Sequence, residues 1–156
     1  MSQENVEVVR SYFEGTGGPL EGESRWTPAK EHFSALVARF WEADGDWYPV
    51  RKFPEVRPCH GREEIVALLA EIRGAWDAYR YVVKDARAIG DDRVLVQGRM
   101  WTEGRASGAA LEGDVYHCCW LRHGRFIRVE DHLTAKGALH ALGLSDEALE
   151  AAGLEE

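Results

Sequence analysis

The sequence predicts an α+β domain, with three helical stretches in its first half and about four antiparallel strands in its second. Two patterns carry this expectation. Apolar residues recur at helical spacing in three segments before residue 77, and they alternate in the strand fashion after residue 81, between glycine turns at 90–92 and 122–124. The 156 residues amount to a single domain over 1–156, large enough to bury a real core.

The first helix is expected over Gln3–Glu14, with Val6, Val9 and Phe13 on one stripe and Val8 and Tyr12 on another. Residues 15–28, with four glycines and two prolines, break that pattern and read as a loop insertion. A second helix is expected over Ala29–Ala43, because Phe33, Leu36, Val37, Phe40 and Trp41 fall at i, i+3, i+4, i+7 and i+8. A turn and a short strand carrying Trp47 and Tyr48 follow, and Pro49, Pro54 and Pro58 exclude a central strand over 49–58. The third helix is expected over Arg62–Trp76. It has Glu63 and Glu64 in its first turn, and Ile65, Leu68, Leu69, Ile72 and Trp76 as its buried stripe.

Strands are expected at Tyr81–Ile89 and at Arg93–Thr102, the latter with Val94, Val96, Gly98 and Met100 on one face. Residues 104–113 read as a loop or a loosened strand start. Val115–Leu121 and Arg125–Leu133 then form a hairpin, and a short helix stopped by Gly143 follows, with a second turn capped by Ser145.

Composition narrows the function. The formal charge is −8 and no long basic run exists, which argues against nucleic acid or an anionic membrane as the main partner. The longest apolar run, Ile65–Ala70, is far short of the roughly 20 residues of a membrane span. The N-terminal residues lack the pattern of a secretory signal. Three cysteines give no disulfide framework. A cytoplasmic location is the expectation.

The hairpin carries the chemistry. A three-residue turn, Arg122-His123-Gly124, would pair Leu121 with Arg125 and His117 with Val129. One face then reads Val115, His117, Cys119, Leu121, Ile127, Val129, Asp131 and Leu133, apolar except for His117 and Asp131 as diagonal neighbours. A carboxylate and an imidazole in apolar surroundings suit acid/base work, since burial and mutual charge move their proton affinities toward neutrality. A buried pair that only satisfies itself is the other reading. The opposite face carries Tyr116, Trp120 and Phe126, which suggests either a homodimer interface or a face covered by the chain's own tail.

Other residues supply weaker signals. Cys118 and Cys119 are strand neighbours and point to opposite faces, so a shared metal is not expected, and no metal-binding spacing is present. His60, just before a helix, is a candidate for the mouth of a pocket or a solvated loop residue, and Trp26, Trp47 and Trp101 are candidates for its lining, for core or for an interface.

Three stretches, SQENVEVVRSYFEG, HGREEIVALLAEIRGAWDAYRYVV and YHCCWLRHGRFIRVEDHL, resemble the nuclear-transport-factor-2-like superfamily, most closely its SnoaL-like branch. The resemblance implies a cone-shaped, strongly curved, mostly antiparallel sheet with three N-terminal helices closing a pocket, and commonly a homodimer through the outer sheet face. In SnoaL-like polyketide cyclases a strand aspartate is the acid/base and a histidine on the preceding strand lines the same pocket; Asp131 and His117 match those positions. Tyr12 matches the first-helix tyrosine of ketosteroid isomerases, but their general base has no counterpart at Trp47-Tyr48-Pro49, nor is their second carboxyl partner present near Tyr116 or His117. The Arg-x-Asp pair of limonene-epoxide-hydrolase relatives is also missing, whereas His117, Asp131, Tyr12 and Tyr48 imitate the set used by scytalone dehydratase relatives.

The expectation is therefore cofactor-free isomerisation, cyclisation or dehydration of a small apolar carbonyl compound. Asp131, His117 and Tyr12 would be catalytic, and Trp41, Trp47, Tyr48, His60, Met100 and Cys119 would contact substrate. The alternative is a non-catalytic ligand-binding or dimeric structural module of the same fold.

Overall fold

In the computed structural model the described residues are 2–17, 29–50, 56–74, 76–104 and 110–144. They form α1 (Ser2–Gly17), α2 (Ala29–Phe40), β1 (Trp41–Tyr48), β2 (Cys59–His60), α3 (Arg62–Gly74), β3 (Trp76–Ile89), β4 (Arg93–Gly104), β5 (Ala110–Arg122), β6 (Arg125–His132) and α4 (Ala135–Ala141). The six strands make one curved, unclosed sheet in the order β2-β1-β6-β5-β4-β3, antiparallel except where β1 runs parallel to β6. The three N-terminal helices lie on its inner side. Most of the expected loop insertion, residues 18–28 with Trp26, and the Ser145 cap fall outside the described residues.

The ends of the three expected N-terminal helices differ from expectation. The first helix continues through Gly17. The second stops at Phe40, because Trp41 pairs with Phe126 and opens β1, so its ring reaches the core from a strand. The third stops at Gly74, and Trp76 already belongs to β3 opposite Gly104. In each of the last two cases a ladder partner far away in sequence overrides a helical pattern.

The main core fills the space between the helices and the inner sheet face. Val9, Tyr12 and Phe13 of α1, Phe33 and Val37 of α2, and Ile65 and Leu68 of α3 meet Val94, Val96, Val115, Cys119 and Val129 of the sheet there. The inner face expected for β4 holds, since Val94, Val96 and Met100 all join this core. Arg62 donates two hydrogen bonds to the Trp41 carbonyl, at 3.0 and 2.6 Å, and Gly61 N–H donates to the Gly45 carbonyl at 2.8 Å, which ties α3 to the start of β1.

A second, smaller core lies on the outer face. Leu95, Tyr116 and Cys118 pack beneath Ala135, Ala138, Leu139 and Leu142 of α4 and its C-terminal turn. Thr134 caps α4 by accepting from Gly137 N–H at 3.0 Å. At the other end Leu144 N–H reaches the Leu139 carbonyl across Gly143, whose φ of +77° suits glycine. The chain's own tail thus covers Tyr116, which is 3% exposed and not part of an open aromatic patch.

The β5–β6 hairpin corrects the expected register. His123 and Gly124 have φ of +54° and +74°, so the turn has two residues of the primed type, and Arg122 pairs with Arg125. Continued without irregularity, that register would place Asp131 opposite Tyr116, on the outer face. A bulge prevents this. Leu121 pairs with Phe126 but Trp120 pairs with Arg128, leaving Ile127 as the extra residue. Parity is restored beyond the bulge, and His117 pairs directly with Asp131. The two-residue turn also sets Phe126 opposite Leu121, so Phe126 does not lie outside with Tyr116 and Trp120 but is fully buried in the inner core against Tyr12 and Trp41.

Candidate active site

The site is assembled from strand alternation. Directly paired residues of antiparallel strands share a face, so β5 sends His117 and β6 sends Asp131 inward. Their side chains are 9% and 6% exposed. His117 Nδ1 and Asp131 Oδ1 lie 2.6 Å apart. The neighbouring β1 pairs Trp47 with Val129, which brings the indole N–H to Asp131 Oδ2 at 2.9 Å. Each carboxylate oxygen therefore has its own donor. An ionised carboxylate only accepts, so toward it Nδ1 would be the donor, and in the neutral form of the ring that tautomer leaves the lone pair on Nε2. Nε2 is buried and has no hydrogen-bond partner among the described residues. Such an atom costs about 1–3 kcal/mol if nothing occupies it. The Phe13 ring stacks on the imidazole at 4.2 Å between centroids and fixes its plane.

His117 and Asp131 line a cavity of about 90 Å³, measured as the space open to the centre of a water-sized molecule. That is several times the roughly 10–15 Å³ a single water needs by the same measure. The other walls are mainly apolar and aromatic: Phe13, Phe33 and Trp41 on one side, Leu69 and Ile72 from α3, and Met100, Val115 and Val129 from the sheet. Tyr12 also lines it, in edge contact with Phe40 and Phe126 at 5.8 and 4.9 Å.

Of the expected site residues, the structure gathers Tyr12, Trp41, Trp47, Met100, His117 and Asp131 around this cavity. Three others lie elsewhere. Tyr48 follows Trp47 on β1, so it must face outward when Trp47 faces inward; it is 37% exposed and Arg128 stacks over its ring. His60 sits on the edge strand β2 opposite Asp46, with its side chain 70% exposed and Nδ1 2.5 Å from Asp46 Oδ1. Cys119 shares the inner face but is fully buried in the core, outside the cavity lining. Burial pushes its thiol well above the ordinary range and pushes Cys59 up to about 11, which leaves both poor nucleophiles at neutral pH. Trp101 also lies off the cavity, with Arg80 and Arg99 over its ring and its indole N–H bonded to Glu112.

Sequence reasoning overlooked Arg73, Tyr81 and Phe13 as lining residues. Arg73 follows Leu69 by four residues, one helical turn along the stripe already recognised, so the spacing could have found it. Tyr81 could not be found that way. Its ring approaches β4 over Gly98, a contact that depends on the strand pairing. Among the described residues no cluster of three or more histidine, cysteine or carboxylate side chains could hold a metal ion, and no helix is long and apolar enough to cross a membrane.

Comparisons with known proteins agree with this architecture. In solved structures the fold recurs in a protein of Jannaschia sp. CCS1 named as a SnoaL-like polyketide cyclase (17% identity, 84% of this chain and 85% of that one, TM-score 0.66). It recurs in Bal32a from a soil-derived mobile gene cassette (17% identity, 88% and 94% covered, TM-score 0.69). TerC, crystallised with polyporic acid, is similar as well (20% identity, 89% and 97% covered, TM-score 0.63). At these identities the likeness is one of fold. No curated protein matches the chain significantly. The profile of the SnoaL-like domain matches residues 29–129, well over half of the sequence and including β1, α3 and the His117 strand, and the chain belongs to that family.

Proposed function

We propose that this protein is a small-molecule enzyme that moves a proton on an apolar carbonyl compound without a cofactor, in an isomerisation, cyclisation or dehydration. The observation that carries the reading is the His117–Asp131 couple in an apolar cavity, with Nε2 of His117 buried and unpartnered among the described residues. Both oxygens of Asp131 are already engaged. His117 Nε2 is therefore the proton acceptor in this proposal, and Asp131 holds the ring and stabilises the imidazolium that forms. This reverses the division of labour expected from the pattern alone. Tyr12, on the same cavity, would donate to the developing enolate oxygen. The SnoaL-like fold and the polyketide-cyclase name of a structural neighbour support the reaction class.

The test needs no knowledge of the natural substrate. A panel of cyclic and aryl ketones is incubated in D2O with the protein, and exchange of the protons next to the carbonyl is followed by NMR. Exchange with at least one probe is expected, falling about 100-fold or more in His117→Gln, as for loss of a general base. Thermal stabilisation by probes with no exchange in the wild type would favour a binding module instead. The expected homodimer is likewise a proposal, now carried by Tyr48 and Trp120 on either side of Arg128 on the outer face. Sedimentation velocity decides it, and a monomer at micromolar concentration removes it.

A further inference from the structure

His117 is met from two directions. Asp131 Oδ1 lies 2.6 Å from Nδ1, on one edge of the imidazole. Phe13 of α1 covers a face: its ring stands at 4.2 Å between centroids and 19° between planes. Phe13 falls one helical turn after Val9 on the buried stripe of α1, and it is 6% exposed. Tyr12 and Phe126 meet it at steep angles of 77° and 70°, with centroids 5.0 and 6.2 Å away. The Phe13 ring is therefore held by aromatic neighbours while it lies flat against the histidine. Neither Asp131 nor Phe13 engages Nε2, which is buried without a partner among the described residues.

The face of a benzene ring is negative and attracts a cation within about 6 Å of its centroid, most strongly where water is excluded. A neutral imidazole in the same stack gains only dispersion and packing. The contact is thus stronger once His117 carries a second proton. We infer that Phe13 is a positioning residue that acts through His117, stabilising the imidazolium formed as Nε2 takes a proton. The inference rests on the reading of His117 as the base. In that step the proton leaves the carbon beside the carbonyl for Nε2, and the C–H bonding pair ends on the carbonyl oxygen as an enolate. An interaction that strengthens along this step lowers its barrier. A side chain that only packs would hold both forms of the ring equally, and the two roles can be separated.

The experiment places phenylalanines with one, two and three ring fluorines at position 13 of the full chain, with Phe13→Leu as a fourth variant. Fluorination keeps the shape and weakens the negative face in steps. Exchange of the protons beside the carbonyl is followed by NMR in D2O with cyclic and aryl ketones, 2-tetralone among them, and thermal melts check folding. In the fluorinated series kcat should fall stepwise, about tenfold by the third fluorine, while KM stays within about threefold. Phe13→Leu should fall at least as far. A flat kcat across the fluorinated series overturns the inference alone. So does a trend confined to KM, which would make Phe13 a ligand contact. No exchange with any ketone in the wild type removes the proton-transfer reading and the inference with it. Should Phe13→Leu fail to fold, the fluorinated series still decides the question.

Discussion

Trp47 on β1 and Asp131 on β6, 84 residues apart, share a hydrogen bond of 2.9 Å from the indole nitrogen to Oδ2. The parallel pairing of Trp47 with Val129 creates it, and the other carboxylate oxygen pairs with His117. A hydrogen bond to a charged group contributes about 1.5–3 kcal/mol. Trp47→Phe should therefore destabilise the fold by about that much in urea unfolding. The same change made in an Asp131→Leu background should cost much less, because the acceptor is already gone. Equal costs in the two backgrounds would show that Trp47 contributes only packing.

Two glycines shape the cavity's aromatic walls. A Cβ at Gly45 would overlap the Trp41 ring, which is 1% exposed, and one at Gly98 would overlap the Tyr81 ring, whereas a Cβ at Gly74 would meet nothing within 4 Å. Gly45→Ala and Gly98→Ala should each cost about 1–3 kcal/mol, as overpacking does. Gly74→Ala should be neutral or slightly stabilising. Uniform effects across the three variants would mean that backbone freedom at glycine, and not close approach of the rings, sets the requirement.

The pair at the sheet edge, His60 and Asp46, makes a prediction about pH. The hydrogen bond to Asp46, aided by its charge, raises the His60 pKa above the ordinary value. The pair's contribution to stability is thus complete below the unfolded-state pKa of about 6.5 and is lost as pH rises through the folded value. Because the histidine is exposed, the energetic effect is small and the titration itself is the readout. NMR should place its midpoint above 6.5, and Asp46→Asn should bring it back toward that value. An unchanged midpoint in Asp46→Asn would break the assignment.

How much was legible in advance differs between the helices, the hairpin and the site. Val9 and Phe13 on α1, and Ile65 and Leu68 on α3, lie where the helical spacing put them, because a helix's buried stripe is written in residues three and four apart. Trp41 and Trp76 were misplaced into helices, since a strand start is decided by a ladder partner, Phe126 for one and Gly104 for the other, that local periodicity does not contain. Tyr48 was assigned to the cavity beside Trp47 although strand alternation allows only one of two neighbours to face it.

The sequence by itself determined the α+β class and the helical stripes, which depend on short-range periodicity, whereas the common face of His117 and Asp131 depends on a bulge that no local pattern contains. Only the tertiary structure decided how that pair works. The bulge at Ile127 set the pairing, β1 brought Trp47 to the second carboxylate oxygen, α3 brought Arg73 into the same cavity, and α4 covered Tyr116 on the outer face. Each of these joins residues far apart along the chain, and their positions follow from how strands and helices dock and not from any local pattern of side chains.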